Sequence, residues 1–221
     1  MITTWNKYLS VSFLLFILLI QHIKCRNAPP KWSPITVSLY YEALSPACQY
    51  LIVKDIGEIY NKYNRFMKLE MIPWGHSKFR PDGTIRCRHG SIECEANKLQ
   101  SCVLEYAEMK HALAFIICFE RSLLRNTGDI KSAIKHCSGF IRNRYEQIRK
   151  CYNSKDGIQL QQKAYYRTKS VKAGHFPYLV LKGSTLGEPN PMNINEVQSV
   201  LKKWDRIFGN QSIDHAIYMP I

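Results

Sequence analysis

Apolar spacing divides the chain into three zones. In residues 34–74 a β-branched, apolar run from Ile35 to Tyr41, carrying Val37, Leu39 and Tyr40, predicts a buried strand. Ala47 to Tyr63 has the spacing of a helix. Phe66 to Ile72 predicts a second strand in which Phe66, Leu69 and Met71 pack. Two strands joined by a helix point to parallel pairing and an α/β unit. Pro73-Trp74-Gly75 then breaks the pattern.

Residues 76–172 read as a mainly helical insertion. Leu99, Val103, Ala107, Ala114 and Cys118 fall at helical spacing and predict one helix from Asn97 to Leu124. Asp129 is placed to cap a short helix ending at Cys137, and Asp156-Gly157 to open another through Val171. Residues 173–208 return to α/β character. His175-Phe176-Pro177-Tyr178 leads into a short strand, Leu179-Val180-Leu181, stopped by Lys182-Gly183. Asn195 is the expected cap of an amphipathic helix with Val197, Val200, Leu201, Trp204 and Phe208 inward. Residues 34–208 therefore form one domain with an inserted helical part, and residues 209–221 form a C-terminal tail.

The N-terminus changes the setting. Lys7 is followed by a dozen apolar residues, Leu9 to Ile20, too few to span a bilayer, which needs about 20. Residues 1–25 are read as a cleaved secretory signal peptide, with the cut between Cys25 and Ala28, and no membrane insertion is expected. The remaining chain then enters an oxidising compartment, where cysteines pair. Cys87, Cys94, Cys102, Cys118, Cys137 and Cys151 can pair among themselves in 15 ways, and the sequence does not choose. Cys48 is left over. Asn210-Gln211-Ser212 is a glycosylation sequon at Asn210. A formal charge of +14 favours anionic partners or simple solubility. Arg142, Arg144, Arg149 and Lys150 are the candidate anion-binding residues, with a solvated helix face as the plainer reading. No nucleic acid is expected as a partner.

The chemistry centres on Ser45-Pro46-Ala47-Cys48, between the first strand and the first helix. A thiol–disulfide exchange enzyme places Cys-x-x-Cys at such a turn, where helix amides stabilise a thiolate. The first cysteine attacks the substrate disulfide and the second resolves the mixed disulfide. Here Ser45 stands at the nucleophile position. Its natural role is structural: Ser at the N-cap followed by Pro46 at the first helical position is a favoured helix start. Cys48 would sit at the third helical position. It is open to three readings: a buried inert thiol, a residual monothiol, or half of a bridge, including one that links two chains.

A second constellation runs from Cys87 to Cys102: Cys-Arg-His-Gly-Ser-Ile-Glu-Cys-Glu-Ala-Asn-Lys-Leu-Gln-Ser-Cys. These spacings fit no zinc-finger pattern, so no metal and no cofactor are expected. The segment resembles the signature of the gamma-interferon-inducible lysosomal thiol reductase family, C-Q-H-G-x-x-E-C-x-x-N-x-x-x-x-C. Cys87, His89, Gly90, Glu93, Cys94, Asn97 and Cys102 match, and Arg88 departs where the family usually has Gln. Tyr41 to Leu44 before the turn and Pro73 to Gly75 ahead of the signature agree. The resemblance covers residues 35–208.

It implies a thioredoxin-like fold with a disulfide-stapled helical insertion. It also implies a secretory or endolysosomal location and, in active members, reduction of protein disulfides. The family's Cys-x-x-Cys falls on Ser45 and Cys48, so only the resolving cysteine carries over. Pro177 is the counterpart of the cis-proline that faces the active turn, and Phe176 and Pro177 would border a peptide groove. The expectation is a secreted, thiol-reductase-like protein that has lost two-cysteine reduction. It would bind an extracellular protein or an anionic glycan or cell surface. The alternatives are a monothiol exchange enzyme using Cys48, and residence in the endolysosomal lumen.

Overall fold

The computed structural model describes residues 33–126, 128–183 and 190–209. The expected signal peptide, Cys25, Asn210 and the C-terminal tail beyond residue 209 lie outside the described residues.

The first zone folds as its pattern requires. Strand β1 (Ile35–Tyr41) runs parallel to β2 (Met67–Pro73), with Val37 opposite Leu69 and Leu39 opposite Met71. The crossover between them is one continuous helical segment: α1 (Pro46–Leu51), a π-helical stretch (Ile52–Ile56) and α2 (Gly57–Tyr63). Strand β5 (Tyr178–Lys182) pairs antiparallel with the other edge of β1, and β6 (Asn190–Met192) pairs with β5. The sheet order is β2-β1-β5-β6. β1 is thus an inner strand, and both faces are covered: Ile35, Val37, Leu39 and Tyr41 are fully buried on one and Ser38 and Tyr40 are buried on the other. α8 (Ile194–Phe208) closes the domain, burying Val197, Leu201 and Trp204. Its cap is Asn193 rather than the expected Asn195. Asn193 accepts from the Glu196 amide while Glu196 accepts from the Asn193 amide, a reciprocal box that Asn195, inside the first turn, cannot form.

The insertion between β2 and β5 opens with a hairpin, β3 (Lys78–Phe79) and β4 (Ile85–Arg86), that sequence spacing did not foresee. The expected single helix over 97–124 is two: α3 (Ser91–Tyr106) and α4 (Met109–Arg125), parted by the extended residues Ala107 (ψ 148°) and Glu108 (ψ 143°). The reason is a change of phase. α3 buries Ala96, Leu99 and Val103, a face that at about 3.6 residues per turn would continue through Ala107, Lys110 and Ala114. α4 instead buries Ala112, Phe115, Phe119 and Leu123, so the chain must reset between them.

Asp129 caps α5 (Ile130–Cys137) through the Ser132 amide. A 3₁₀ segment (Ser138–Arg144) leads to α6 (Tyr145–Tyr152), and then to α7 (Lys155–Ser170). α7 is capped by Ser154, two residues ahead of the expected Asp156, because the Ser154 hydroxyl accepts the Asp156 amide. α7 packs on α3 and β2. Its Ala164 joins Tyr40, Ile72, Trp74 and Val180 in a core cluster with Phe79, Tyr165 and Phe176 against it.

Three disulfides staple the insertion. Cys87–Cys94 ties the loop after β4 to the first turn of α3, Cys102–Cys151 ties α3 to α6, and Cys118–Cys137 ties α4 to the end of α5. Among the described residues no helix is long and apolar enough to cross a membrane.

Candidate functional site

The site begins where β1 ends. Tyr41 is locked into the sheet, with the Trp74 amide donating to its carbonyl at 2.9 Å, and the chain then turns through Glu42-Ala43-Leu44-Ser45 into α1. Ser45 is the N-cap residue and Pro46 the first helical residue. Contrary to the sequence expectation, the Ser45 side chain makes no capping hydrogen bond.

Cys48, at the third helical position, is the free cysteine of the described residues and is 0 % exposed. Burial pushes its thiol up to about 11. The Glu42 amide donates to Sγ at 3.5 Å, and the Ser45 hydroxyl helps, but both pull the other way too weakly. The carboxylates of Glu42 and Glu120 add to the rise. Desolvation wins over the helix N-terminus. The sulfur is a neutral thiol at physiological pH, with no exposed surface for another chain's thiol.

Beneath it lies a buried polar chain that the sequence reading missed. Gln49 Nε2 donates to Glu120 Oε2 at 2.8 Å, Gln100 Nε2 donates to Glu120 Oε1, and Tyr41 Oη donates to Gln100 Oε1. Burial pushes the Glu120 carboxyl up to about 8, and burial with the nearby Glu120 charge raises the Tyr41 phenol well above its usual value. The available signal was Glu120 itself, a carboxylate in phase with Ile116 and Phe119 on the buried stripe of α4.

The Cys87–Cys102 segment holds the turn rather than adding reactive groups. Asn97 Oδ1 accepts from the Ala43 amide at 3.1 Å. The Glu42 carboxylate, 2 % exposed, accepts from the His76 amide at 2.8 Å and lies 2.6 Å from His76 Nδ1. His89 Nδ1 sits between the two buried carboxylates, bonded to Glu93 and 3.9 Å from Glu42 Oε2. Glu93 also accepts from the Arg88 amide, and burial raises its carboxyl above the usual range. Gly75 is needed here for two reasons. Its φ is +56°, and a Cβ would stand 2.0 Å from Glu42 Cγ. Gly90, at φ +87°, is the N-cap residue of α3.

Glu42, His89 and Glu93 also bring three donor atoms within 4.8 Å of one another. Arg88 Nη1 lies 3.3 Å from His76 Nδ1, so positive charge stands beside this group. The His89 imidazole, bonded to Glu93, occupies the space between the two carboxylates.

The Phe176–Pro177 bond is cis, and the Phe176 ring meets His76, the partner of Glu42, edge-on with centroids 4.8 Å apart. The expected anion-binding residues lie elsewhere, on the 3₁₀ segment and α6. Arg149 pairs with Glu146 at 2.8 Å and Arg144 donates to Gln147, while Arg142 and Lys150 are exposed. All four are exposed, on elements that contribute no residue to the turn.

A sheet of order β2-β1-β5-β6 with a parallel β1–β2 pair, a helix starting just after β1 and a cis-proline just before β5 defines a thioredoxin-like chain. Solved structures of the same fold include the cytosolic disulfide reductase DsbM from Pseudomonas aeruginosa (TM-score 0.53, 12 % identity, covering 80 % of this chain and 98 % of that one). Another is the alpha-DsbA1 of Wolbachia pipientis (TM-score 0.53, 13 % identity, 80 % and 87 % covered). At that identity the likeness is one of fold. The family model described as gamma interferon inducible lysosomal thiol reductase matches residues 36–141, which contain the turn and the whole Cys87–Cys102 segment. The Arabidopsis thaliana gamma-interferon-responsive lysosomal thiol protein is 32 % identical over 163 residues, 72 % of this chain and 66 % of that protein. The goldfish (Carassius auratus) gamma-interferon-inducible lysosomal thiol reductase is 29 % identical over 158 residues, 68 % of this chain and 61 % of that protein. The chain belongs to the gamma-interferon-inducible lysosomal thiol reductase family.

Proposed function

We propose that this chain is a non-reducing member of its family, delivered to the secretory pathway, that binds a polypeptide partner at the former redox turn. The observation that carries the reading is the pair at the turn: a serine at the nucleophile position and a resolving cysteine with no exposed surface and a thiol pushed up to about 11. A serine hydroxyl needs a strong neighbouring base to attack a disulfide, and the buried carboxylates here are committed: Glu42 to His76, Glu120 to Gln49 and Gln100. The supporting frame that positions the turn is intact, which fits a retained binding surface. The Arabidopsis thaliana and Carassius auratus relatives carry "lysosomal" in their names; a secreted location for this chain rests on its N-terminal apolar segment and sequon.

The test is disulfide reductase activity on a denatured, disulfide-bonded substrate at acidic and neutral pH. Wild type is compared with Ser45→Cys and Cys48→Ala. Wild type should be silent and Ser45→Cys should gain activity. Reduction by wild type that disappears in Cys48→Ala overturns the proposal and makes Cys48 a working monothiol.

A further inference from the structure

A cleft of roughly 1050 Å³ opens beside the turn, walled by the β3–β4 hairpin and the start of α3. Its charged lining is of one sign: Lys78, Arg80, Arg86 and Arg88, with His76 at the inner edge. All four Lys and Arg side chains are exposed, and among the described residues none lies within ion-pair distance of a carboxylate. The acidic groups nearby are already engaged. Asp82, at the hairpin tip, accepts from the Thr84 amide and hydroxyl, and Glu42 and Glu93 are buried against His76 and His89.

The hairpin register adds an independent observation. Lys78 stands directly opposite Arg86 across the two strands, so their side chains leave on one face. Like charges in that position repel and weaken a hairpin, and this one has only two residues per strand. An anion seated between them reverses the sign of that interaction.

Position then selects the anion. His76 is the shared wall: its ring meets Phe176, the residue before the cis-proline, and its Nδ1 touches both Glu42 of the turn and Arg88 of the cleft. A polypeptide lying across Phe176 and Pro177 therefore runs on into the cations. A free glycan has no reason to meet the turn at all.

We infer that the cleft bounded by Lys78, Arg80, Arg86 and Arg88 docks an acidic, Asp/Glu-rich segment of the polypeptide that this protein engages at the Ser45–Cys48 turn. This rests on the reading of the turn as a polypeptide-binding surface and supplies the partner's chemistry. The pairing is electrostatic and non-covalent, so it weakens as salt shortens the screening length.

The experiment is fluorescence anisotropy with a labelled Glu-rich peptide and its Gln-for-Glu counterpart, on the full chain, at low and physiological salt. Arg80→Glu/Arg86→Glu is compared with wild type and with Arg142→Glu/Arg144→Glu, an equal charge change away from the cleft. Arg80→Gln/Arg86→Gln serves as a milder pair on the same exposed hairpin. The Glu-rich peptide should bind wild type and the Arg142/Arg144 variant alike, on the order of tenfold more weakly at the cleft reversal, with the Gln pair between. The Gln-for-Glu peptide should not bind.

Equal loss in both reversed variants overturns the cleft assignment, because net charge alone would then explain binding. A heparin oligosaccharide that binds in the cleft where the Glu-rich peptide does not overturns it in favour of a glycan. The anisotropy reads docking without chemistry, and the reductase assay reads chemistry without this peptide. Activity in wild type would thus sink the non-reducing reading and leave docking standing. Loss of docking with silent wild type would do the reverse.

Discussion

Cys48 alkylation separates a dead thiol from a working one. The perturbation is a thiolate-selective reagent, iodoacetamide, applied to the native chain at pH 7. A thiol moved from 9.0 to about 11 carries a thiolate fraction of about 10⁻⁴ at pH 7, against about 10⁻² for the unperturbed group. Protonation alone therefore slows the reaction by about a hundredfold. The sulfur also has no exposed surface, so the reagent must wait for a local opening, and the native rate should fall further still. The same chain in denaturant, with its three disulfides intact, provides the unperturbed rate. Mass spectrometry of the Cys48 peptide against time measures both. The expected result is a native rate at least about a hundredfold below the denatured one, climbing with pH through 9 without levelling. A native rate within about threefold of the denatured one, or a plateau near neutral pH, would refute the reasoning. The α1 N-terminus would then be stabilising a thiolate after all.

Three further outcomes follow from the same geometry. Glu120 holds its proton to about pH 8 in the folded chain but only to its ordinary 4.5 when unfolded. Between those values the native state binds more protons, so stability should fall as pH rises, by at most about 1.4 kcal/mol per unit. Denaturant titrations of Glu120→Gln should lose that slope; parallel pH profiles for both proteins would contradict the buried neutral carboxyl. Gly75→Ala forces a side chain into a left-handed backbone and against Glu42, and should cost about 2 kcal/mol or more by chemical denaturation; a change under about 0.5 kcal/mol would count against the close approach. Cys102→Ser/Cys151→Ser opens a 49-residue separation and should remove up to about 4 kcal/mol on a chain-entropy basis. The shorter Cys118–Cys137 link, separated by 19, should cost less when removed, and the reverse ranking would reject loop closure as the source.

Much of the fold is legible because its signals are local. The β-branched run Ile35–Tyr41, the Ser-Pro helix start and the alternation of strand and helix need only near neighbours to be read, and they place the turn correctly. The α3–α4 break was not legible for the opposite reason. Ala107 and Glu108 are ordinary helix residues, and they are extended because α3 and α4 bury different phases of their surfaces. The same limit hid the capping by Asn193, which depends on Glu196 returning its bond, and the hairpin at 78–86, whose strands are too short to show a period.

Sequence alone determined the family, the missing nucleophile at Ser45, the leftover Cys48 and the six cysteines available to pair, since identity and spacing along the chain suffice for each. Only the tertiary structure decided the three disulfide partners and the state of the Cys48 thiol. It also turned His89, Glu93 and Asn97 into props for the turn, and gathered Lys78, Arg80, Arg86 and Arg88 around one cleft. The physical reason is common to all of them. Pairing, desolvation and electrostatic fields depend on distances across space and on exclusion of water, and residues as far apart as Gln49 and Glu120 acquire those only when the chain has packed.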